Sequence, residues 1–207
     1  EAGLFKTGEG QSYPPERLLS HSFFIRYPDV FYKFYKSKMI CLEAKPNGAH
    51  LALSKLEEEG KLKAVITQNI DGLHQAAGSK NVLELHGSIH RNYCMDCREK
   101  YPVSAVINSE VVVPLCSDCN GIIRPEVVLY EEQLDQDVMK DAAEHIVNAD
   151  MLIVGGTSLV VNPAASFINL YKGDKLVLIN KSSTPYDDMA NLIIQDSIGK
   201  VLESAVS

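Results

Sequence analysis

The sequence has no long apolar runs: the longest, such as Met151–Val154, fall far short of the ~18 residues that a membrane span needs. Positive charge is also in short supply, with 20 Lys and Arg against 27 Asp and Glu and a formal net charge of −7. This deficit argues against bulk nucleic-acid binding, which needs clustered Lys and Arg for counterion release. An acidic body would sooner attract a basic partner segment. Internal repeats and low-complexity stretches are missing, and 13 Gly with 9 Pro is ordinary, so disordered and collagenous chains are excluded. Glu1-Ala2-Gly3-Leu4 carries no basic stretch followed by an apolar one, so the expectation is no secretory signal and a soluble, cytoplasmic protein. Cysteine is scarce and odd in number. Of the 5, four form two pairs and Cys41 stands alone, a pattern that favours reduced thiols and a metal over disulfides. Cys41 is expected to be a buried core thiol, as free Cys usually is.

What is present is enough chain to bury a sizeable core, since 207 residues hide roughly 70% of their unfolded surface. Asp29–Lys38 reads as a helix, opened by Pro28-Asp29, with Val30, Phe31, Phe34 and Tyr35 at helical spacing. Asn47 can cap a second helix that holds Leu51, Leu53 and Leu56 and stops before Gly60. Lys63–Thr67 then reads as a buried β-branched strand, and Val82–Leu85 as another. From His90 to Arg124 the chain reads as loops around the cysteine pairs, followed by a strand at Val127–Tyr130. Helix Asp137–Val147, strand Met151–Val154, helix Pro163–Tyr171, strand Lys175–Ile179 and a last helix at Ile198–Ala205 complete the pattern. Strand and helix in alternation predict an α/β fold with a doubly wound parallel sheet, into which the cysteine segment is inserted.

Cys94-x2-Cys97, an 18-residue gap and Cys116-x2-Cys119 give the strongest chemical signal. Each pair places two sulfurs on one edge of a tetrahedron, and four thiolates fill the shell of one Zn²⁺ with no open position for water. The ion is therefore read as structural. The competing reading, two redox pairs, lacks the strand-to-helix setting that lowers a thiol pKa. Met151–Val154 runs through Gly155-Gly156-Thr157-Ser158-Leu159 toward a helix, an arrangement that turns backbone N–H groups to the strand edge and suits a pyrophosphate; strand-Gly-helix turns of purely structural purpose are common too. Gln68-Asn69-Ile70-Asp71-Gly72 and His86-Gly87-Ser88 set amides, a carboxylate and an imidazole after two strands. A lone His is more often packed than catalytic, but its pKa suits general-base work near neutrality.

Taken in order, Gln68-Asn69-Ile70-Asp71, Leu85-His86-Gly87, the four-cysteine ribbon, Arg124-Pro125-x-Val127-Val128, Gly156-Thr157-Ser158-Leu159 and Ile179-Asn180 resemble the sirtuins, the NAD-dependent protein-lysine deacylases. The resemblance runs from Phe23 onward. It implies a Rossmann-like NAD domain at residues 1–89 and 125–207, including a helical segment at 28–60, and a zinc-binding domain at 90–124. It also implies a cleft that accepts an acyl-lysine peptide as an added strand. By motif, His86 is the general base on a ribose hydroxyl, Asn69 and Asp71 position the nicotinamide ribose and carboxamide with Ile70 beside them, and Gln68 bonds the same ribose. Gly156, Thr157 and Ser158 meet the phosphates, while Asn180, Lys181 and Ile198 line the adenosine end. Val128 and Tyr130 border the acyl-lysine, and Leu159 borders the peptide strand. The implied products are free lysine, nicotinamide and O-acyl-ADP-ribose.

Three departures accompany the resemblance. The family's first motif, Gly-Ala-Gly-x-Ser followed by Pro-x-Phe-Arg, is absent, so the expectation is roughly 35 further residues upstream that supply an interior strand. Glu131 stands where the family usually has Gly, which strains the backbone if φ is positive there. Tyr35-Lys36-Ser37-Lys38 lacks the Arg found in members that prefer acidic acyl groups, and Lys cannot supply the guanidinium fork; this favours acetyl. Two other functions are compatible with these residues: an ADP-ribosyltransferase using the same cleft, and a non-catalytic zinc-ribbon module that binds acylated peptides. His21, His50, His74, His90 and His145 are read as structural or surface residues.

Overall fold

The computed structural model describes residues 5–6, 12–162 and 164–206. Its strands are β1 (Phe5–Lys6), β2 (Ser12–Tyr13), β3 (Val65–Thr67), β4 (Val82–Glu84), β5 (Gly87–Cys94), β6 (Lys100–Pro102), β7 (Ile123–Val127), β8 (Leu152–Gly155), β9 (Leu176–Ile179) and β10 (Leu192–Ile194). The α-helices are α1 (Pro15–Leu18), α2 (His21–Arg26), α3 (Pro28–Phe34), α4 (Gly48–Glu58), α5 (Leu73–Ala76), α6 (Val103–Ile107), α7 (Gln136–Val147) and α8 (Ile198–Ala205). No helix among the described residues is long and apolar enough to cross a membrane.

Local chemistry explains most boundaries. The Asn47 side chain accepts from the amides of Ala49 and His50, and His50 Nδ1 accepts from Asn47 N at 3.2 Å, so α4 starts in a complete capping box. Asp135 caps α7 through Asp137 N and Val138 N. β-branched Val65-Ile66-Thr67 forms β3, parallel to β4 with Val65 opposite Val82. β8, β9 and β10 make a second parallel ladder in the order β10-β9-β8.

The chain packs as two compact units. The first comprises Glu1–Glu43, Asn69–Gly72 and His86–Leu134. Its core is aromatic: Phe24, Phe31, Tyr32 and Tyr35 pack with Ile89, Val106, Ile123 and Leu129. The Tyr32 hydroxyl donates to the Ile123 carbonyl, which satisfies a polar group in this apolar setting. The unit also carries the antiparallel sheet β6-β5-β7. The second unit comprises Ala44–Gln68, Leu73–Leu85 and Asp135–Ser207. There Ile146, Leu159, Ile168, Tyr171, Leu176 and Leu178 form one cluster, and Ala49, Ala52, Ile179 and Leu202 another, where α4 meets α8. Each large apolar side chain so buried contributes about 1.5–3 kcal/mol relative to exposure.

Several sequence expectations need correction. Residues 90–124 are not loops but hold most of the sheet β6-β5-β7 together with α6. The strand expected at Val127–Tyr130 lies earlier, at Ile123–Val127. Pro125 falls inside it: β7 pairs only with β5 among the described residues, and at an edge a residue without an N–H leaves no ladder bond unmade. The first predicted helix is α3 followed by a π-turn at Tyr35–Met39, where Ile40 N reaches back to Tyr35 O and Ser37 Oγ bonds Phe34 O. Ala164–Leu170 is a 3₁₀ helix rather than an α-helix, and Pro163, its expected first residue, lies outside the described residues. Cys41 is exposed rather than in the core.

Candidate functional site

In the first unit, β5 fixes the segment Asn69–Gly72. Ile89 N donates to Ile70 O at 3.0 Å, and His90 Nε2 donates to Asp71 O at 3.0 Å. A Cβ on Gly72 would meet the His90 ring at 2.8 Å, so only glycine lets the imidazole close over this turn. Asn69 is exposed, and Ile70 and Asp71 are half-buried. At the opening of β5, half-buried His86 is pinned through its carbonyl, which accepts from Val128 N at 3.0 Å. Gly87 has φ +74, and a Cβ there would lie on the Glu126 carbonyl oxygen, which is why the residue after the histidine must be glycine. Ile70, Asp71, His86 and Val128 are thus tied to one pair of strands, and Asn69 adjoins Ile70 in the same unit. Tyr130, three residues past β7, is 49% exposed and donates its N–H to Leu19 O at 2.9 Å. Sequence reasoning read His90 as a structural or surface residue; its partner is a carbonyl 19 residues away, which leaves no local signal.

Beside this segment, Arg124 Nη2 meets both Glu132 oxygens at 2.6 and 2.5 Å, and the guanidinium lies over the Phe24 ring. Leu129 N donates to Glu132 Oε2 at 2.8 Å, and His21 Nδ1 lies 2.7 Å from Oε1. Burial alone would raise the Glu132 carboxyl, but Arg124, the Leu129 amide and His21 outweigh it and hold it below the usual carboxylate range. Glu131 has φ +76, the left-handed conformation anticipated for that position.

The sulfurs of Cys94, Cys97, Cys116 and Cys119 all lie within 4.8 Å of one another, with Cys94–Cys119 at 3.4 Å and Cys97–Cys116 at 3.5 Å. Bonds of ~2.3 Å from one tetrahedral Zn²⁺ call for S···S edges of roughly 3.8 Å, so the cluster fits the ion. The Tyr101 hydroxyl donates to Cys116 Sγ at 3.1 Å and takes that thiol down to about 6. Cys97 goes the other way: against the pull of the Glu99 amide, burial and the neighbouring sulfurs push it up to about 12. Crowded thiols that cannot all ionise together are the donor set a divalent soft cation resolves.

In the second unit, β8 ends in Gly155 and passes into a turn with Gly156 at φ +64 and Leu159 at φ +53. Leu159 N donates to Thr157 Oγ1 at 3.2 Å, and Asn180 Nδ2 donates to Thr157 O and Ser182 O, each at 3.0 Å. Asn180 and Lys181 follow β9 at the same C-terminal edge of a parallel ladder, the edge where dinucleotides bind. Ile198 packs on Gly155. The position a Cβ would take on Gly156 is clear to 3.7 Å, and Thr157, exposed Ser158, Asn180 and exposed Lys181 bring hydroxyl, amide and ammonium groups to that edge, which fits a phosphate-bearing ligand. Gln68, half-buried, follows β3 in this unit. Leu159 is buried in the core cluster of this unit.

Comparison with known proteins agrees with this chemistry. The model of the Sir2 family matches residues 1–163. An NAD-dependent protein deacetylase of Clostridium acetobutylicum is 60% identical over 206 residues, which cover 100% of this chain and 84% of the relative. A solved structure described as Sir2 with a p53 peptide and NAD+ has a TM-score of 0.87 at 44% identity, over 92% of this chain and 82% of that one. Another, Sir2 with an inhibitor, 2′-O-acetyl-ADP-ribose and a deacetylated p53 peptide, has a TM-score of 0.86 at 43% identity, over 94% of this chain and 88% of that one.

Proposed function

The chain belongs to the Sir2 family, and from that premise we propose how its residues carry out NAD-dependent removal of acetyl groups from protein lysine side chains, with nicotinamide, free lysine and O-acetyl-ADP-ribose as products. Bound NAD supplies the electrophilic ribose carbon and the nicotinamide leaving group. Everything else falls to the chain. His86 takes the proton from a ribose hydroxyl, general-base help worth about 10² to 10⁴ in rate. Asn69 and Asp71 orient the nicotinamide ribose and carboxamide, with Ile70 beside them and Gln68 bonding the same ribose. Gly156, Thr157 and Ser158 hold the phosphates, while Asn180, Lys181 and Ile198 hold the adenosine end. Val128 and Tyr130 border the acetyl-lysine, and Leu159 borders the peptide strand. Cys94, Cys97, Cys116 and Cys119 hold one Zn²⁺ whose shell is closed, so the ion stabilises the fold and leaves the chemistry to the side chains.

The observation that supports this reading is the pinning of Ile70 and Asp71 to β5, and of His86 to Val128 where β5 meets β7, by bonds of 3.0 Å. By chemistry we assign residues 90–124 to zinc and residues 1–89 with 125–207 to the dinucleotide. We place the protein in the cytoplasm, in keeping with its bacterial relatives.

The test is nicotinamide release that depends on an acetyl-lysine peptide. His86→Ala is expected to lose at least about 10²-fold in rate while keeping one equivalent of zinc. Equal rates for the two proteins would remove His86 from its role. Label transferred from NAD to protein would favour the transferase, and peptide binding without nicotinamide release would favour the binding module.

A further inference from the structure

The two consecutive carboxylates after Tyr130 have separate tasks. Glu132 is committed to Arg124, His21 and the Leu129 amide. Glu131 reaches the opening of α2 instead: Ser22 N donates to its Oε2 at 2.9 Å and Ser22 Oγ to its Oε1 at 3.0 Å. Around it the main chain is stitched down. Tyr130 N donates to Leu19 O, His21 N to Tyr130 O, and Glu132 N to Leu129 O, at 2.9, 3.0 and 3.1 Å. Among the described residues the structure records no bond for the amide or carbonyl of Glu131 itself. A peptide strand added at this edge would pair with main-chain groups whose direction is set by a φ of +76, a conformation that strains a non-glycine residue and persists only where its surroundings impose it. The Ser22 clasp is the constraint that acts through the side chain of Glu131 itself.

We propose that the Glu131 carboxylate is a positioning residue for the acyl-lysine peptide: by clasping Ser22 at the start of α2 it holds its own backbone in the left-handed conformation that presents this edge to the substrate strand. This rests on the reading of Val128 and Tyr130 as the substrate border. The clasp acts on peptide binding and leaves proton transfer at His86 untouched.

The experiment measures steady-state kinetics with an acetyl-lysine peptide on the full chain, along with NAD binding in the absence of peptide, zinc content and thermal unfolding. Glu131→Ala is expected to raise the peptide KM about fivefold, the equivalent of a typical lost helix cap, with kcat, NAD binding and zinc unchanged. Glu131→Gln can accept from Ser22 N through Oε1 and donate through Nε2 to the Ser22 hydroxyl, and is expected to return the KM to near the wild-type value. Ser22→Ala removes one of the two bonds without touching the strained residue, is expected to give an intermediate KM, and carries the test should Glu131→Ala fail to fold. A wild-type KM in a folded Glu131→Ala or, should that variant not fold, in Ser22→Ala overturns the proposal, as does a Glu131→Gln no better than Glu131→Ala. Tyr130→Ala separates the two readings: if it raises the KM while Glu131→Ala does not, only the clasp falls; if neither raises it, the segment is not the substrate border and the clasp falls with it.

Discussion

Two strand ends in this protein carry a histidine or hydroxyls beside a left-handed glycine, and their glycines are there for opposite reasons. At Gly87 the missing side chain is filled by protein, since the Glu126 carbonyl occupies the place a Cβ would take. At Gly156 that place is open, with nothing nearer than Ile198 Cγ2 at 3.7 Å. The first glycine lets two stretches of backbone close on each other and so fixes where His86 stands. The second, whose own amide is tied to Ile179 O at 3.1 Å, leaves the space above the turn open, with room for something else to approach. A closed contact fixes where a neighbouring side chain stands; an open one leaves space above the turn.

Substitutions test this contrast. Gly87→Ala is expected to be the most damaging, at more than about 4 kcal/mol, because a backbone carbonyl cannot swing aside as a side chain can; failure of the variant to unfold cooperatively, or a large drop in Tm, is the readout. Gly155→Ala meets the movable Ile198 side chain and, at 2.8 Å, the Ile179 carbonyl, so an overpacking cost of about 1–3 kcal/mol is expected in denaturant unfolding. Gly156→Ala has space but the wrong φ: it is expected to cost about 1 kcal/mol in stability while raising the KM for NAD more than that for peptide. If Gly156→Ala proves as destabilising as Gly87→Ala, the distinction between closed and open glycines fails.

The smallest expected effect is on the acid limb of stability. The Glu132 carboxyl is held below its usual value of 4.5, so its contribution is fully present above that value and is lost as the pH falls through the lower folded-state value. Unfolding midpoints followed between pH 6 and 3 should therefore fall less steeply in Glu132→Gln than in the wild type, which keeps the closed strand pair but removes the titrating group beside it. Parallel profiles would show that the Arg124 contact carries no linked proton.

Much of this was legible along the chain. Asn47 announced the start of α4, and the spacing of the cysteines their convergence, because each depends on residues a few positions apart or on a fixed ligand geometry. The strand expected at Val127–Tyr130 was placed too late because whether Pro125 fits in β7 depends on which side of that strand has a partner, a property of the sheet rather than of the residue. Cys41 misled because a thiol is buried only if the chain turns inward there. The helix after Pro28 was visible, but its π-turn was not, since one extra residue in a turn leaves the apolar spacing nearly unchanged.

The sequence alone determined the chemical inventory: an imidazole, an amide and carboxylate run, a glycine turn and four thiols, each in a short window that local geometry reads directly. Tertiary structure decided what those groups do to one another. Only the pairing of β5 with β7 makes Gly87 obligatory and sets the His86 carbonyl against Val128, only the closing of His90 over Asp71 holds the acidic turn, and only the approach of α2 lets Ser22 hold Glu131 in its strained conformation. These contacts join residues far apart in the chain through backbone groups that every residue shares, so no local pattern of side chains could have announced them.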